Sequence, residues 1–269
     1  MIPGIQTPAV FVKIDVVERN IARFQSYADK HELMLRPHIK THKLPLIAEL
    51  QLRAGAVGIT CQKISEASAM VDGSEMICDV LITYKIVGDE KLGDLRQLSS
   101  RVKLSVVADS TEVVEGLSRA FASNGQKLTV LVECNTGADR CGVLSPEAAA
   151  MLASQISNSS GLQFGGLMTY LPIGASSHVQ AFMAKAKGLI QEKGYAVSVV
   201  TSGGTPDMMS AHLVKETTEY WNHDFSSSWH VSYELRQNGS CGSPASVAWA
   251  SGTENCRRLY HAYNYVGKY

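Results

Sequence analysis

Strand and helix alternate along this chain almost without interruption from residue 33 to residue 200, and that rhythm limits the fold more than any single residue does. The strand segments are short, apolar and rich in β-branched residues: 33–35, 56–60, 79–84, 102–108, 128–134, 164–170 and 197–200. Between them lie segments with apolar residues at helical spacing, near 44–53, 64–71, 90–98, 111–123, 145–156 and 177–193. Strands that read as continuous apolar runs are covered on both faces, and parallel strands need a crossover, usually a helix. The pattern therefore predicts a parallel α/β fold. Seven such strands need one more to close an eight-stranded barrel of the TIM type. Tyr233-Glu234-Leu235-Arg236 and the stretch Thr217 to Trp221 are the two segments that could supply it. An open doubly wound sheet is the alternative. The barrel is preferred because polar or Gly-rich residues follow most of the strands and do not cluster at one switch point.

Before this region, Ala9 to Ile14 reads as a further strand and Asp15 to Lys30 as a helix. Asp15 is its expected N-cap, and Val17, Ile21, Phe24 and Tyr27 share one face. Asp109-Ser110-Thr111 and Ser145 read as caps of later helices. After Tyr220 the character changes. All three tryptophans (Trp221, Trp229, Trp249) lie there, acidic residues thin out, and no amphipathic helix is visible. The expected organisation is a barrel over residues 1–220 and a divergent tail over 221–269.

The length of 269 residues suits one barrel-sized domain, with room for a small appendage. Lys+Arg and Asp+Glu balance at 25 each, which points away from nucleic-acid or membrane-surface partners. The N-terminus lacks a basic segment followed by an apolar one, and no run reaches the ~18 apolar residues of a membrane span. Six cysteines without a C-x-x-C pair read as reduced thiols, so a cytoplasmic location is expected.

The densest chemistry lies in Leu35-Arg36-Pro37-His38-Ile39-Lys40-Thr41-His42-Lys43, directly after the first of the seven strands. Pro37 is expected to keep the exit from that strand extended and His38 out of a helix. A lysine at the C-terminal end of a barrel strand, partly desolvated beside other cations, has its pKa pushed down and can act as an amine nucleophile. His38 and His42 have the i, i+4 spacing of a helical metal pair, but the strand context argues against a helix there. Lys43 reads as a solvated residue at a helix start, and His42 as a capping or supporting group. Further strand ends carry Gln62, then Asn135-Thr136-Gly137-Ala138-Asp139-Arg140, then Thr169-Tyr170, then Ser202-Gly203-Gly204-Thr205-Pro206. Adjacent glycines flanked by hydroxyls let successive N–H groups converge on a phosphate; a plain Gly-Gly turn is the alternative. A phosphate nest and a strand-end lysine in one barrel together suit pyridoxal 5'-phosphate, whose aldehyde needs an amine.

The ordered set Arg36 to Lys43, Thr60-Cys61-Gln62-Lys63, Thr136 to Gly142, Gly165 to Tyr170 and Ser202 to Pro206 resembles the D-threonine aldolase and D-serine dehydratase family, which shares the alanine racemase barrel. The resemblance implies a pyridoxal-phosphate-dependent lyase acting on D-β-hydroxy amino acids. Lys40 matches the lysine that forms the Schiff base and moves the α-proton. His38 is placed to orient Lys40 or the cofactor ring. Arg140 matches an arginine against the ring oxygen, Tyr170 a tyrosine near the cofactor, and Gln62 a cofactor-facing strand end. Ser202, Gly203, Gly204 and Thr205 match the phosphate loop. The family also implies a homodimer and a divalent metal, held by a His-x-Cys pair in a C-terminal β domain. No His-x-Cys occurs in this sequence, and Leu171-Pro172 stands where the family tends to have a histidine after the tyrosine. Two other readings stay open: a non-catalytic barrel that binds pyridoxal phosphate, and an aldolase that uses Lys40 without a cofactor.

Overall fold

The structure is a computed structural model that describes residues 12–123, 125–204 and 209–221. The chain divides into two compact units, one of Ile21–Asp224 and one of Met1–Asn20 with Phe225–Tyr269. Elements follow in the order α1 (Ile14–Lys30), β1 (Met34–Leu35), α2 (Pro45–Ala54), β2 (Ile59–Cys61), α3 (Ile64–Gly73), β3 (Asp79–Ile82), α4 (Asp89–Ser99) and β4 (Lys103–Ala108). They continue with α5 (Thr111–Phe121), β5 (Leu128–Cys134), α6 (Pro146–Asn158), β6 (Leu162–Tyr170), α7 (Ser176–Glu192), β7 (Val199–Gly203) and β8 (Glu219–Trp221). The seven expected strands are all present.

All eight strands form one parallel sheet in the order β1-β8-β7-β6-β5-β4-β3-β2. The sheet curls until its two end strands meet. Val57 N–H donates to Leu35 O (2.9 Å), Thr60 N–H donates to Pro37 O (2.8 Å), and His38 bridges Thr60. Of the two segments that could supply the eighth strand, Glu219–Trp221 does so, pairing with β7 on one side and β1 on the other. Tyr233 to Arg236 lies outside the described residues.

Two expectations at the N-terminus are corrected. Ile14 is the first residue of α1, and Val12 and Lys13 precede it outside any strand; residues 9–11 lie outside the described set. Ile14 continues the i, i+3, i+7 spacing of Val17 and Ile21, and that helical period overrides the β-branched local composition. Asp15 consequently sits inside the first turn, paired with Arg19 at 3.0 Å, where its charge complements the helix dipole. Ser110 and Ser145 cap α5 and α6 by accepting from Val113 N–H and Ala148 N–H.

One large apolar cluster fills the space between the sheet and its helices. A smaller one plugs the lumen: Leu81, Val107, Leu131, Met168 and Trp221, one residue each from β3, β4, β5, β6 and β8. The side-chain period of 2 puts Asp79 and Glu219 on the same lumen-facing rows as Leu81 and Trp221, one layer closer to the strand N-termini. There the buried Arg36 donates to Glu219 (Nε to Oε2, 2.9 Å) and to Asp79 (Nη1 to Oδ1, 2.7 Å). Lys103 reaches Asp79 from the surface at 2.8 Å, so two cations balance two carboxylates. Gly58 makes room for this: a Cβ there would lie 2.3 Å from Arg36 Nη1 and 2.6 Å from Asp79 O. No helix among the described residues is long and apolar enough to cross a membrane.

Removing one partner from a buried, hydrogen-bonded charge set leaves the others uncompensated. Arg36→Met should therefore lower unfolding free energy by ~3–5 kcal/mol in denaturant titrations; a loss under ~1 kcal/mol would show that the barrel closes without it. A pH signature comes from His42, which is buried after β1 and accepts Leu44 N–H at Nδ1 (3.1 Å). Burial lowers its pKa from 6.5 to about 4. The imidazole is neutral in the fold but protonates in the unfolded chain, so its contribution is complete above pH 6.5 and is lost as pH falls toward about 4. The loss amounts to as much as ~3 kcal/mol. His42→Asn, which keeps an acceptor for Leu44, should flatten that part of the stability–pH curve, whereas parallel curves for the two proteins would rule His42 out as its source.

Candidate active site

The exit from β1 is extended through His38 (φ −90°, ψ 119°), as expected, and Ile39–Thr41 then wind into a 3-10 turn that the sequence did not announce. The reason lies in His38 itself, whose Nδ1 accepts the Lys40 backbone N–H at 3.3 Å and caps the turn. Pro37 fixes its own φ and restricts Arg36, not the residues beyond His38. Ile39 is fully buried and anchors the turn, leaving Lys40 half-buried at its centre. His42 is the C-cap, as a capping role for it implied. Lys43 reaches toward Glu66 at 3.7 Å with its side chain 42% exposed.

Lys40 opens into a cavity of about 600 Å³ at the C-terminal ends of the strands. His38, Gln62, Arg140 and Tyr170 also line it, so five of the residues singled out in the sequence come together from four strand ends. Arg140 lies over the Tyr170 ring, 4.8 Å from its centroid. Trp221, at the end of β8, completes this side: its indole N–H donates to Thr169 O at 3.3 Å, and its ring centroid lies 5.8 Å from Tyr170 and 6.4 Å from His38. Aromatic and cationic groups thus line the wall formed by β1, β6 and β8.

Ser202 and Gly203 close β7, the strand between Tyr170 and Trp221, with Gly203 in register with both. They and Gly204 flank the cavity and are not part of its lining; Thr205 lies outside the described residues. Two features here fit a phosphate. Ser202 Oγ is buried and has no hydrogen-bond partner among the described residues, a cost that a ligand oxygen would remove. Gly204 has φ +153°, and a Cβ on it would come within 3.1 Å of the Tyr170 ring, so only glycine brings the backbone this close. A lysine in the cavity, an arginine on an aromatic ring and an unsatisfied hydroxyl at the next strand end form a donor set that fits pyridoxal phosphate.

The opposite wall, from β3, β4 and β5, is charged. Lys85 Nζ pairs with Glu133 and, at 3.1 Å, with Asp109 Oδ2, all three lining the cavity. Burial works against the Lys85 ammonium, but Glu133, Cys141 and Asp109 together outweigh it and raise its pKa. Cys141 donates to Glu133 Oε1 at 3.0 Å; burial first and Glu133 second push its thiol upward, which leaves it a poor nucleophile. Cys61 and Cys134 are buried packing residues whose thiols burial also raises. Among the described residues no group of three or more His, Cys, Asp or Glu is placed to hold a metal ion.

Lys85, Asp109 and Trp221 are among the lining residues that sequence reasoning missed. Lys85 stands just past the third strand, where the strand-end criterion applied to the other strands would have found it. Asp109 reads as a helix cap, yet Ser110 caps α5 and Asp109 instead accepts Gly142 N–H at 3.2 Å. Trp221 depends on recognising a strand of three residues.

Comparison with known proteins agrees with this architecture. Residues 12–219 match the family "Alanine racemase, N-terminal domain". The D-threonine aldolase of Arthrobacter sp. is 36% identical over 214 residues, covering 75% of this chain and 55% of that protein. The crystal structure of D-threonine aldolase from Filomicrobium marinum superposes with a TM-score of 0.77 at 33% identity, covering 81% of this chain and 62% of that one. D-threo-3-hydroxyaspartate dehydratase from Delftia sp. HT23 gives 0.72 at 26% identity, covering 82% and 61%. The chain thus spans 55–62% of the length of these relatives. With its eight parallel strands and the match over residues 12–219, the chain belongs to the alanine racemase N-terminal domain family, and D-threonine aldolase is among its homologues.

Proposed function

We propose that this chain is the cofactor-binding barrel of a pyridoxal 5'-phosphate-dependent lyase acting on D-β-hydroxy amino acids, by aldol cleavage or dehydration. The reading rests on one observation above all: Lys40, Gln62, Arg140 and Tyr170, from separate strand ends, share one cavity. Relatives whose names record action on D-threonine and D-threo-3-hydroxyaspartate support the substrate class. The assignment of residues 1–220 to the barrel and 221–269 to a separate segment, a cytoplasmic location and a homodimer belong to the same reading.

Pyridoxal phosphate, when bound, supplies an electron sink for negative charge at the substrate's α-carbon. The chain's residues have distinct tasks around it. Lys40 would provide the amine that holds the cofactor, and its amine, when free, would serve as a base for a substrate proton. His38 accepts the Lys40 N–H at Nδ1, so its neutral ring carries the proton on Nε2. It therefore orients and donates; it does not abstract. Arg140 brings a permanent cation and a planar set of donors, steadied by the Tyr170 ring. Ser202 Oγ would donate to the phosphate.

Three experiments test this. Protein mixed with pyridoxal phosphate should acquire a visible absorbance band, and borohydride should fix the cofactor's mass on the peptide containing Lys40; Lys40→Ala should do neither. Absence of a band in the unaltered protein would end the cofactor reading. With D-threonine and added Zn²⁺ or Mn²⁺, glycine and an aldehyde mark cleavage, an oxoacid and ammonia mark dehydration, and a band without turnover marks a carrier barrel. Ser202→Ala should act with opposite signs in the two states. It should stabilise the cofactor-free protein by ~1 kcal/mol by deleting an unsatisfied buried hydroxyl, while weakening cofactor binding roughly tenfold. Equal signs would break the link between Ser202 and the phosphate.

A further inference from the structure

Arg140 sits on a loop, not on a strand, and something must hold that loop against the cavity. Its base is pinned by backbone pairing: Asn135 N–H donates to Val143 O (2.9 Å) and Val143 N–H to Glu133 O (2.8 Å). Its first half folds onto Asn135 Oδ1, which accepts Gly137 N–H (3.0 Å) and Asp139 N–H (3.2 Å). Its second half is held by the charged wall. Cys141 donates to Glu133 Oε1 at 3.0 Å, and Gly142 N–H donates to Asp109 Oδ2 at 3.2 Å. The same two carboxylates converge on Lys85.

We propose that Lys85 is a positioning residue for Arg140: its ammonium joins Asp109 and Glu133, and those carboxylates hold Gly142 and Cys141, the two residues that follow Arg140 in the chain. The inference rests on the reading of Arg140 as a cofactor contact. Lys85 itself has its hydrogen-bonding directions taken up by Glu133, Asp109 and Cys141, which suits a lock and not a group that meets the substrate. Without it, two carboxylates with side chains 20% and 9% exposed face one another with no shared cation. Like charges at that depth do not both stay ionised in place. Arg140, a cation on the very loop they anchor, would turn toward them and leave Tyr170.

The test uses Lys85→Met, Lys85→Arg, and Lys85→Met combined with Glu133→Gln, which restores the charge count while keeping an acceptor for Cys141. Without cofactor, trypsin cleavage after the exposed Arg140, located by mass, should be about tenfold faster in Lys85→Met and near the unaltered rate in the other two. Asp109→Ala, which cuts the Gly142 anchor and leaves the Lys85–Glu133 pair, should accelerate cleavage likewise and serves if Lys85→Met does not fold. Unchanged cleavage in both variants would overturn the proposal. With pyridoxal phosphate, Lys85→Met should weaken binding roughly tenfold in the unaltered background and add nothing in Arg140→Ala. Losses that multiply in the double variant would show that Lys85 acts on its own and also overturn it. If Arg140→Ala leaves cofactor affinity unchanged, the reading of Arg140 as a cofactor contact fails, and the cleavage rates still decide whether Lys85 holds the loop.

Discussion

Closure of the ring rests on Arg36. The strands at the seam are the shortest in the sheet, two residues in β1 and three each in β2 and β8, so backbone pairing alone contributes little there. Arg36 joins them from inside, reaching Glu219 on β8 and Asp79 on β3 while its carbonyl accepts the Thr60 hydroxyl on β2 at 3.3 Å. A guanidinium suits this place because its rigid, divergent donors serve two carboxylates at once, which a lysine ammonium cannot match in geometry. Lys40 follows four residues later, so the group that closes the ring also sets where the cavity lysine leaves it.

Above that ionic layer the lumen is apolar, filled by Leu81, Val107, Leu131, Met168 and Trp221. The cavity begins where this plug ends. Its two walls differ in character because they come from different strand ends: aromatic and cationic from β1, β6 and β8, ion-paired from β3, β4 and β5. A planar, anionic cofactor suits the first wall. The second offers fixed charges whose partners are already chosen, and these organise the loop between β5 and α6.

Most of the barrel was legible because seven apolar runs and their helices carry strong periodic signals, and the serine caps at Ser110 and Ser145 are local chemistry. What was less legible has physical causes. The stretch ending at Trp221 could be named only as one of two candidates for the eighth strand: Glu219-Tyr220-Trp221 is a strand because β7 and β1 lie on either side of it, and its own sequence has neither the length nor the apolar character of one. The turn at Ile39–Thr41 depends on an imidazole acting as a cap, which no pattern of periodicity encodes. At the site, motif residues such as Lys40 and Arg140 could be picked out one strand end at a time. Lys85 and Asp109 acquire meaning only from each other and from Glu133, across three strands.

The bond between Arg36 and Glu219 spans 183 residues of chain. Lys40 is therefore made early, while the strand that completes its surroundings is made last among the described elements. During synthesis the growing chain holds a reactive amine with no cavity around it, and ring closure must await residues far downstream. Contacts so distant in sequence form late and slowly. The cavity is thus a product of the finished fold, and a chain that stalls before β8 carries Lys40 without the wall that Trp221 completes.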